Sequence, residues 1–231
     1  MRRYIRLTVG EHAGLGSLLL HELLLGGCSW IPGLAGIAIR HFLYPLAFRN
    51  IHRQTYLGHH VTLRCPRQIK LGRGVVIDEF VQLVANTRQI RGIVIGENSF
   101  VRSYATINAG PPEGFVNIGS NSGIGQGTIL YGNGGLTIGD NVMIAGQCFV
   151  VASSHSFHDP ARPIAAQGYH ARGITIENNV WIGAGAKILD GVTIGEGAII
   201  GANAVVNRSV RKGARVGGVP AKSLQRSDRE Q

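Results

Sequence analysis

The chain has 231 residues, with 34 Gly, three Cys, and 23 Lys plus Arg against 13 Asp plus Glu. That is enough for one large domain with an appendage, and it rules out a disulfide-built miniature. At 44% hydrophobic and 16% charged residues the composition excludes intrinsic disorder, and glycine at about twice the usual ~7% without a Gly-X-Y period excludes collagen and points to repeated tight turns.

The net charge of +10 is lopsided: residues 1–75 hold 10 basic and 2 acidic side chains, so +8 of it is N-terminal. No basic and aromatic module of a nucleic-acid reader accompanies it, so no nucleic acid is expected as partner; a basic segment beside an apolar one suits an anionic membrane surface. Residues 15–39, LGSLLLHELLLGGCSWIPGLAGIAI, are apolar but broken by Gly26, Gly27 and Pro32 into pieces shorter than the ~20 residues a membrane span needs. The segment 1–60 is therefore predicted to be an uncleaved interfacial helical pair, with Trp30, Tyr44, Arg40, Arg49 and Arg53 at headgroup level. Two alternatives stay open: a signal peptide headed by Arg2, Arg3 and Arg6, or helices that simply cap the rest of the protein. Cys28, Cys65 and Cys148 stand in no CxxC arrangement and read as reduced cytosolic thiols.

From residue 61 to about 210 a six-residue period takes over. Ile176, Ile182, Ile188, Ile194, Ile200 and Val206 follow one another without a gap, and two positions before each stands Ile174, Val180, Ala186, Val192, Ala198 or Ala204. Earlier stretches repeat the pattern at Leu71, Ile77 and Leu83, at Ile95, Val101 and Ile107, at Ile118, Ile124 and Leu130, and at Ile138, Ile144 and Val150. A period of six is neither helical nor alternating. It predicts an all-β fold, a triangular solenoid of three short strands per coil in which each coil buries its aliphatics only by stacking on its neighbours. Asp140, Asn141, Glu196 and Asn203 then fall on corners.

The register breaks at 109–115, at 131–135 and at about 153–173, and such interruptions become loops that carry chemistry on a rigid scaffold. The longest, SSHSFHDPARPIAAQGYHARG, holds His155, His158 and His170, whereas the other six histidines lie at or before residue 60. The predicted organisation is a helical segment 1–60, a β-helix 61–210 with a functional loop 153–173, and a tail 211–231.

The run NNVWIGAGAKILDGVTIGEGAIIGANAVVNRSV, followed by GGVPAK, resembles the C-terminal coils of the hexapeptide-repeat O-acetyltransferases, the group with the galactoside, maltose and polysaccharide sugar acetyltransferases. The resemblance covers about residues 61–224, and SSHSFHDPARPI is similar to the family's His-bearing loop. The N-terminal segment is similar to that of members acting on lipopolysaccharide or exopolysaccharide precursors. The resemblance implies a left-handed parallel β-helix, a homotrimer, acetyl-CoA as co-substrate without a metal, and a sugar or glycan acceptor. The unpaired thiols and the basic, apolar N-terminal segment together predict a cytoplasmic enzyme, peripheral at the inner face of the cytoplasmic membrane.

The family's general base maps onto His155, with His158 as the rival. Asp159 or a backbone carbonyl would fix its tautomer. Trp181 matches a tryptophan that faces the catalytic loop. Ala184 and Ala202 match the edge along which the pantetheine lies, and Asn207, Arg208 and Lys222 are the candidates for the nucleotide phosphates. The acceptor-site Asn of small-sugar members has no match around Gly125, which leaves the acceptor open. Two other readings compete: a metalloenzyme resembling γ-class carbonic anhydrases, which needs histidines from separate strands or subunits, and a noncatalytic scaffold.

Overall fold

An aliphatic every sixth residue closes a core only if the chain turns after each short strand, and four-residue corners do this on two of the three edges. The computed structural model, which describes residues 1–11 and 13–224, has three parallel sheets whose strands follow one another in rotation, giving seven complete coils. The first face runs from Asn50–Ile51 to Thr193–Ile194, the second from Tyr56–Leu57 to Lys222–Ser223, and the third from Thr62–Arg64 to Val205–Val206. Register is strict: Leu71, Ile95, Ile118, Ile138, Ile176 and Ile194 are successive partners on the first face.

All eighteen aliphatics of the period are at most 3% exposed, so each rung covers the next. The buried hydroxyls among them are satisfied along the stack. Ser99 Oγ donates to Gly119 O at 2.8 Å and accepts from Ser122 N at 3.0 Å, and Ser122 Oγ repeats the pattern with Gly139 O and Val142 N. Cys65 and Cys148 are buried free thiols, and burial pushes the Cys65 thiol up to about 11, so both behave as small apolar residues. Corners use left-handed residues, Asn141 (φ 57°) and Asn203 (φ 56°) among them.

The solenoid is longer than its sequence signal. Asn50–Ile51 and Tyr56–Leu57 already pair with the second coil, and beyond residue 210 Arg215–Gly217 pairs with the second face and is closed by Lys222–Ser223 running antiparallel. Residues 225–231 of the predicted tail lie outside the described residues. The early start went unread because Ile51 and Leu57 sit among polar residues at the end of the helical segment.

Three loops exceed the four-residue corner, 85–92, 109–115 and 152–173, and all leave from the edge between the third and first faces; the break expected at 131–135 is there a four-residue corner, 132–135, that lies between the second and third of them. The first was missed because Leu83 and Ile95 are two periods apart, so an insertion of one period keeps the phase; only the polar Gln89 at an inward position marks it. These loops stack. Arg88 N and Thr87 Oγ1 both donate to Pro112 O (2.7 and 3.0 Å), Phe115 N donates to Gly132 O, and Gly134 N donates to Ala152 O.

At the other end, α1 (Arg2–Val9), α2 (Leu15–His21, continued by a wider turn to Gly26) and α3 (Gly33–Leu43) cover the first coil. Leu25, Cys28, Tyr44 and Phe48 join the solenoid core. Arg40, 3% exposed, donates to the carbonyls of Leu57, Ile31 and Cys28 at 3.0, 2.7 and 3.3 Å. Arg40 and the fully buried Tyr44 are thus capping groups rather than headgroup anchors, because the open end of a solenoid leaves carbonyls and apolar side chains that need partners. Leu19, Leu23, Trp30, Leu34 and Phe42 remain 59–85% exposed, and Arg49 and Arg53 are exposed as well. Among the described residues no helix is long and apolar enough to cross a membrane.

Candidate active site

The longest excursion is an arm with structure of its own. Ser154–His155 pairs antiparallel with Tyr169–His170, Ser156 N donates to Gly168 O at 3.1 Å, and a short turn at Ile164–Ala166 closes the tip. Gln167 ties that tip to its first half: it accepts from Asp159 N at 3.0 Å and donates to Asp159 O at 2.8 Å and to Arg162 O at 2.9 Å. The Asp159 carboxylate accepts from Ala161 N at 3.0 Å. Asp159 therefore holds a turn in the arm and is not bonded to His155.

Register decides which histidines can act together. His155 lies opposite Tyr169 and Ser154 opposite His170, so His155 and His170 project from opposite faces of the ribbon. His155 is exposed, its ring 6.5 Å from that of Tyr169 at 70°, and its nitrogens make no hydrogen bond to the described residues. An imidazole so placed can take a proton from a bound hydroxyl. The Tyr169 hydroxyl donates to Pro111 O at 3.4 Å, which links the arm to the loop beneath.

On the other face, His170 Nδ1 stands 3.6 Å from Asp190 Oδ2, whose side chain is 4% exposed. Asp190 also accepts from Arg172 N at 2.9 and 3.0 Å and from Gly173 N at 3.0 Å. It clamps the returning strand of the arm to the next coil. Tyr169 and Asp190 were both missed; the signal for Asp190 was a lone carboxylate at the corner of the coil that follows the longest insertion. His158 is exposed beside Phe157, ring centroids 5.4 Å apart, away from the paired strands. Among the described residues no three His, Cys, Asp or Glu side chains converge on a metal site.

The remaining candidates lie elsewhere on the prism. Trp181 is 56% exposed on the second face, between Met143 and Ile199 of adjacent rungs. Ala184 and Ala202 are exposed on consecutive corners of the edge joining the second face to the third, with Asn203 N donating to Ala184 O at 2.8 Å. Asn207 and Arg208 are exposed beyond the last strand of the third face, and Lys222 is exposed on the closing strand of the second. One chain thus sets Ala184 and Ala202 on a different edge from the root of the His155 arm. A cleft of about 280 Å³ adjoins that root, walled by Phe115, Gly134, Gly135, Arg172, Gly173 and Gly191.

Residues 173–208 match the family model described as bacterial transferase hexapeptide (six repeats). A Mycobacterium tuberculosis protein described as "Probable acetyltransferase" is 30% identical over 155 residues, covering 67% of this chain and 49% of its own length. The galactoside O-acetyltransferase of Escherichia coli is 33% identical over 139 residues, 57% of this chain and 62% of that one. The chain thus spans about half to three-fifths of the length of these relatives. Among solved structures, a mutant of AntD, an N-acyltransferase from Bacillus cereus in complex with dTDP-4-amino-4,6-dideoxyglucose and coenzyme A, superposes with a TM-score of 0.58 at 26% identity over 69% of this chain and 84% of that one.

Proposed function

Since the chain belongs to the hexapeptide-repeat transferases, we propose that it moves an acetyl group from acetyl-CoA to a sugar hydroxyl, with His155 as general base. The acceptor in this reading is a cell-surface polysaccharide or its lipid-linked precursor. The observation that carries it is the arm: a histidine with both ring nitrogens available, on a stapled ribbon that leaves a rigid solenoid. In the reaction the sugar O–H gives its proton to the imidazole as the oxygen attacks the thioester carbonyl. A new C–O bond forms, the C–S bond breaks, and the imidazolium returns the proton to the departing sulfur, which leaves as CoA thiol. A base of this kind contributes about 10²–10⁴-fold; orientation of the acceptor supplies much of the remainder.

Coenzyme A in this proposal runs along the Ala184 and Ala202 corners, where methyl side chains permit close approach, with Asn207, Arg208 and Lys222 toward its phosphates. Because those corners and the arm root occupy different edges of one chain, the proposal includes a homotrimer in which the arm of one copy meets the edge of the next. The exposed apolar cap with Arg2, Arg3 and Arg6 beside it supports peripheral attachment to an anionic membrane face, where lipid-linked glycans reside. Among the described residues, the donor set favours acyl transfer over the metalloenzyme reading, since His155 and His170 project oppositely.

The test is thiol release from acetyl-CoA with galactosides, amino sugars and lipid-linked glycans as acceptors, followed by alkali treatment of the product. An alkali-labile ester supports the proposal. An alkali-stable amide, formed only with amino sugars, overturns the hydroxyl acceptor, and absence of transfer to every acceptor favours a scaffold.

A further inference from the structure

The edge joining the second face to the third places one left-handed residue in each coil: His60, Phe80, Tyr104, Gly127, Gln147, Gly185 and Asn203. Each later one donates its backbone N–H to the residue preceding its counterpart in the coil below, as with Gly127 N to Ser103 O at 3.0 Å and Gln147 N to Gln126 O at 2.8 Å. Glycine and asparagine suit this conformation; bulky rings do not. Yet the first three coils hold imidazole, phenyl and phenol there, at φ 53°, 60° and 63°.

The three rings stack. His60 lies 5.0 Å from Phe80 at 11°, and Phe80 lies 5.1 Å from Tyr104 at 2°, while His59 packs edge-on against both of the first two. At the fourth coil the column is cut by Gly127, so that rung places no side chain over the outer face of Tyr104, which is 57% exposed. A Cβ built on Gly127 would meet only Gln147 Cγ, at 3.8 Å. Two rungs at ~4.8 Å each separate Tyr104 from Gln147, so the column has room for one more ring at the stacking distance its own members keep.

We propose that this slot takes one pyranose ring of a glycan, its C–H face on Tyr104 and its hydroxyls toward the exposed Gln126 and Gln147 amides. A neutral polyol fits better than a nucleotide because the nearby charges are acidic or already paired: Glu79 accepts from Ser103 Oγ at 2.9 Å, and Arg102 is engaged by Asp78 at 3.3 Å and lies 4.5 Å over the Phe100 ring. Backbone and Ser103 hydrogen bonds hold the Glu79 carboxyl below its usual range, which keeps negative charge at the rim against a phosphate. The slot lies on the same edge as Ala184, two coils below that corner, so in the proposed trimer it docks a sugar residue of the acceptor about two rungs from where the neighbouring copy's arm meets the edge, and in that sense it rests on the glycan-acceptor reading.

The experiment is saturation-transfer NMR on the full chain, with methyl β-galactopyranoside and methyl α-glucopyranoside as probes and thymidine monophosphate as a competitor. The variants are Tyr104→Ala, which removes the platform, and Gly127→Asn, which fills the slot with a residue that tolerates the backbone, as Asn203 does three coils above on the same edge. Transfer to the pyranosides at least about tenfold weaker in both variants, with each variant still cooperatively folded at the assay temperature and its oligomer size unchanged, supports the slot. Equal signals in wild type and Gly127→Asn overturn it, as does displacement by thymidine monophosphate. A changed oligomer size in Gly127→Asn also overturns it, because the slot is then filled by the neighbouring copy rather than by a sugar. Acetyl transfer is assayed separately, so a pyranoside signal that responds to the variants in a protein without transferase activity leaves the slot standing while the acyltransfer reading falls.

Discussion

Corners joining the first face to the second, and the second to the third, take four residues in every coil, whereas those joining the third to the first range from the four residues 132–135 to the long arm 152–173. From the third coil onward the regular edges place a left-handed residue at a fixed position, donate its N–H to the coil below, and so lock each rung over the next. The irregular edge obeys no such constraint, because the strands on either side are already registered by their own ladders. Insertions there leave the core untouched, and the chain has gathered its three loop histidines, its stapled ribbon and its glycine-walled cleft along that one edge. Regularity and chemistry are separated in space, and changes on either side should report in different measurements.

The largest expected effect lies in the stack. Ile188 is fully buried between the rungs of Val150 and Val206, so Ile188→Ala should cost about 2–5 kcal/mol in denaturant unfolding. A loss under half a unit would mean that the rungs do not depend on one another as the register implies. The irregular edge should answer in the opposite way. His155→Ala is expected to lower kcat at least ~10²-fold with little change in KM for acetyl-CoA and almost none in melting temperature. Wild-type turnover in that variant would remove His155 from the chemistry.

How much of this could be read beforehand follows the same division. Inward positions were legible because a strict period writes them into the chain: each of Leu71 through Val206 was named from spacing and is buried. The loop histidines were visible for the complementary reason, that they stand where the period fails. What stayed hidden involved partners that no period encodes. Asp190 sits in a four-residue corner of the irregular edge, one coil beyond the arm, and grips it, Arg40 looks like a surface cation but finds three carbonyls, and the excursion 85–92 preserved the phase it interrupted. Tertiary hydrogen bonds and in-phase insertions leave only faint marks on a linear pattern.

Asp190 bridges the two regimes, since it belongs to a coil and holds the arm. Asp190→Asn keeps the shape but gives up the charge that accepts from Arg172 N and Gly173 N and faces His170. Hydrogen bonds to a charged acceptor contribute about 1.5–3 kcal/mol, and part of that should be retained by the amide oxygen. We expect faster proteolysis within 154–171 and a several-fold drop in kcat, with unfolding of the solenoid shifted by less than in Ile188→Ala. Should the arm resist protease as in wild type, its attachment must reside in the Gln167 network instead.

The smallest expected effect tests whether the regular edges are regular for the reason given. Asn141 turns the corner between the first and second faces at φ 57°, and its N–H donates to Ser120 O at 2.9 Å. Alanine makes that backbone bond equally well but has no side chain with which to ease the left-handed conformation, so Asn141→Ala should cost about 1 kcal/mol, while glycine should be close to neutral because relief of strain offsets its greater freedom when unfolded. The contrast with Tyr104 is what sharpens the test. That residue occupies the same conformation on the neighbouring edge at φ 63°, and if only backbone strain mattered there, Tyr104→Gly should stabilise the protein. If stacking on Phe80 at 5.1 Å compensates, the substitution should instead be neutral or destabilising by up to about 1.5 kcal/mol, the usual worth of an aromatic pair. Unfolding curves of Asn141→Ala, Asn141→Gly and Tyr104→Gly decide between the two. A stabilised Tyr104→Gly would show that the aromatic column contributes nothing to the fold, and that the strain at its corners is retained for what binds there.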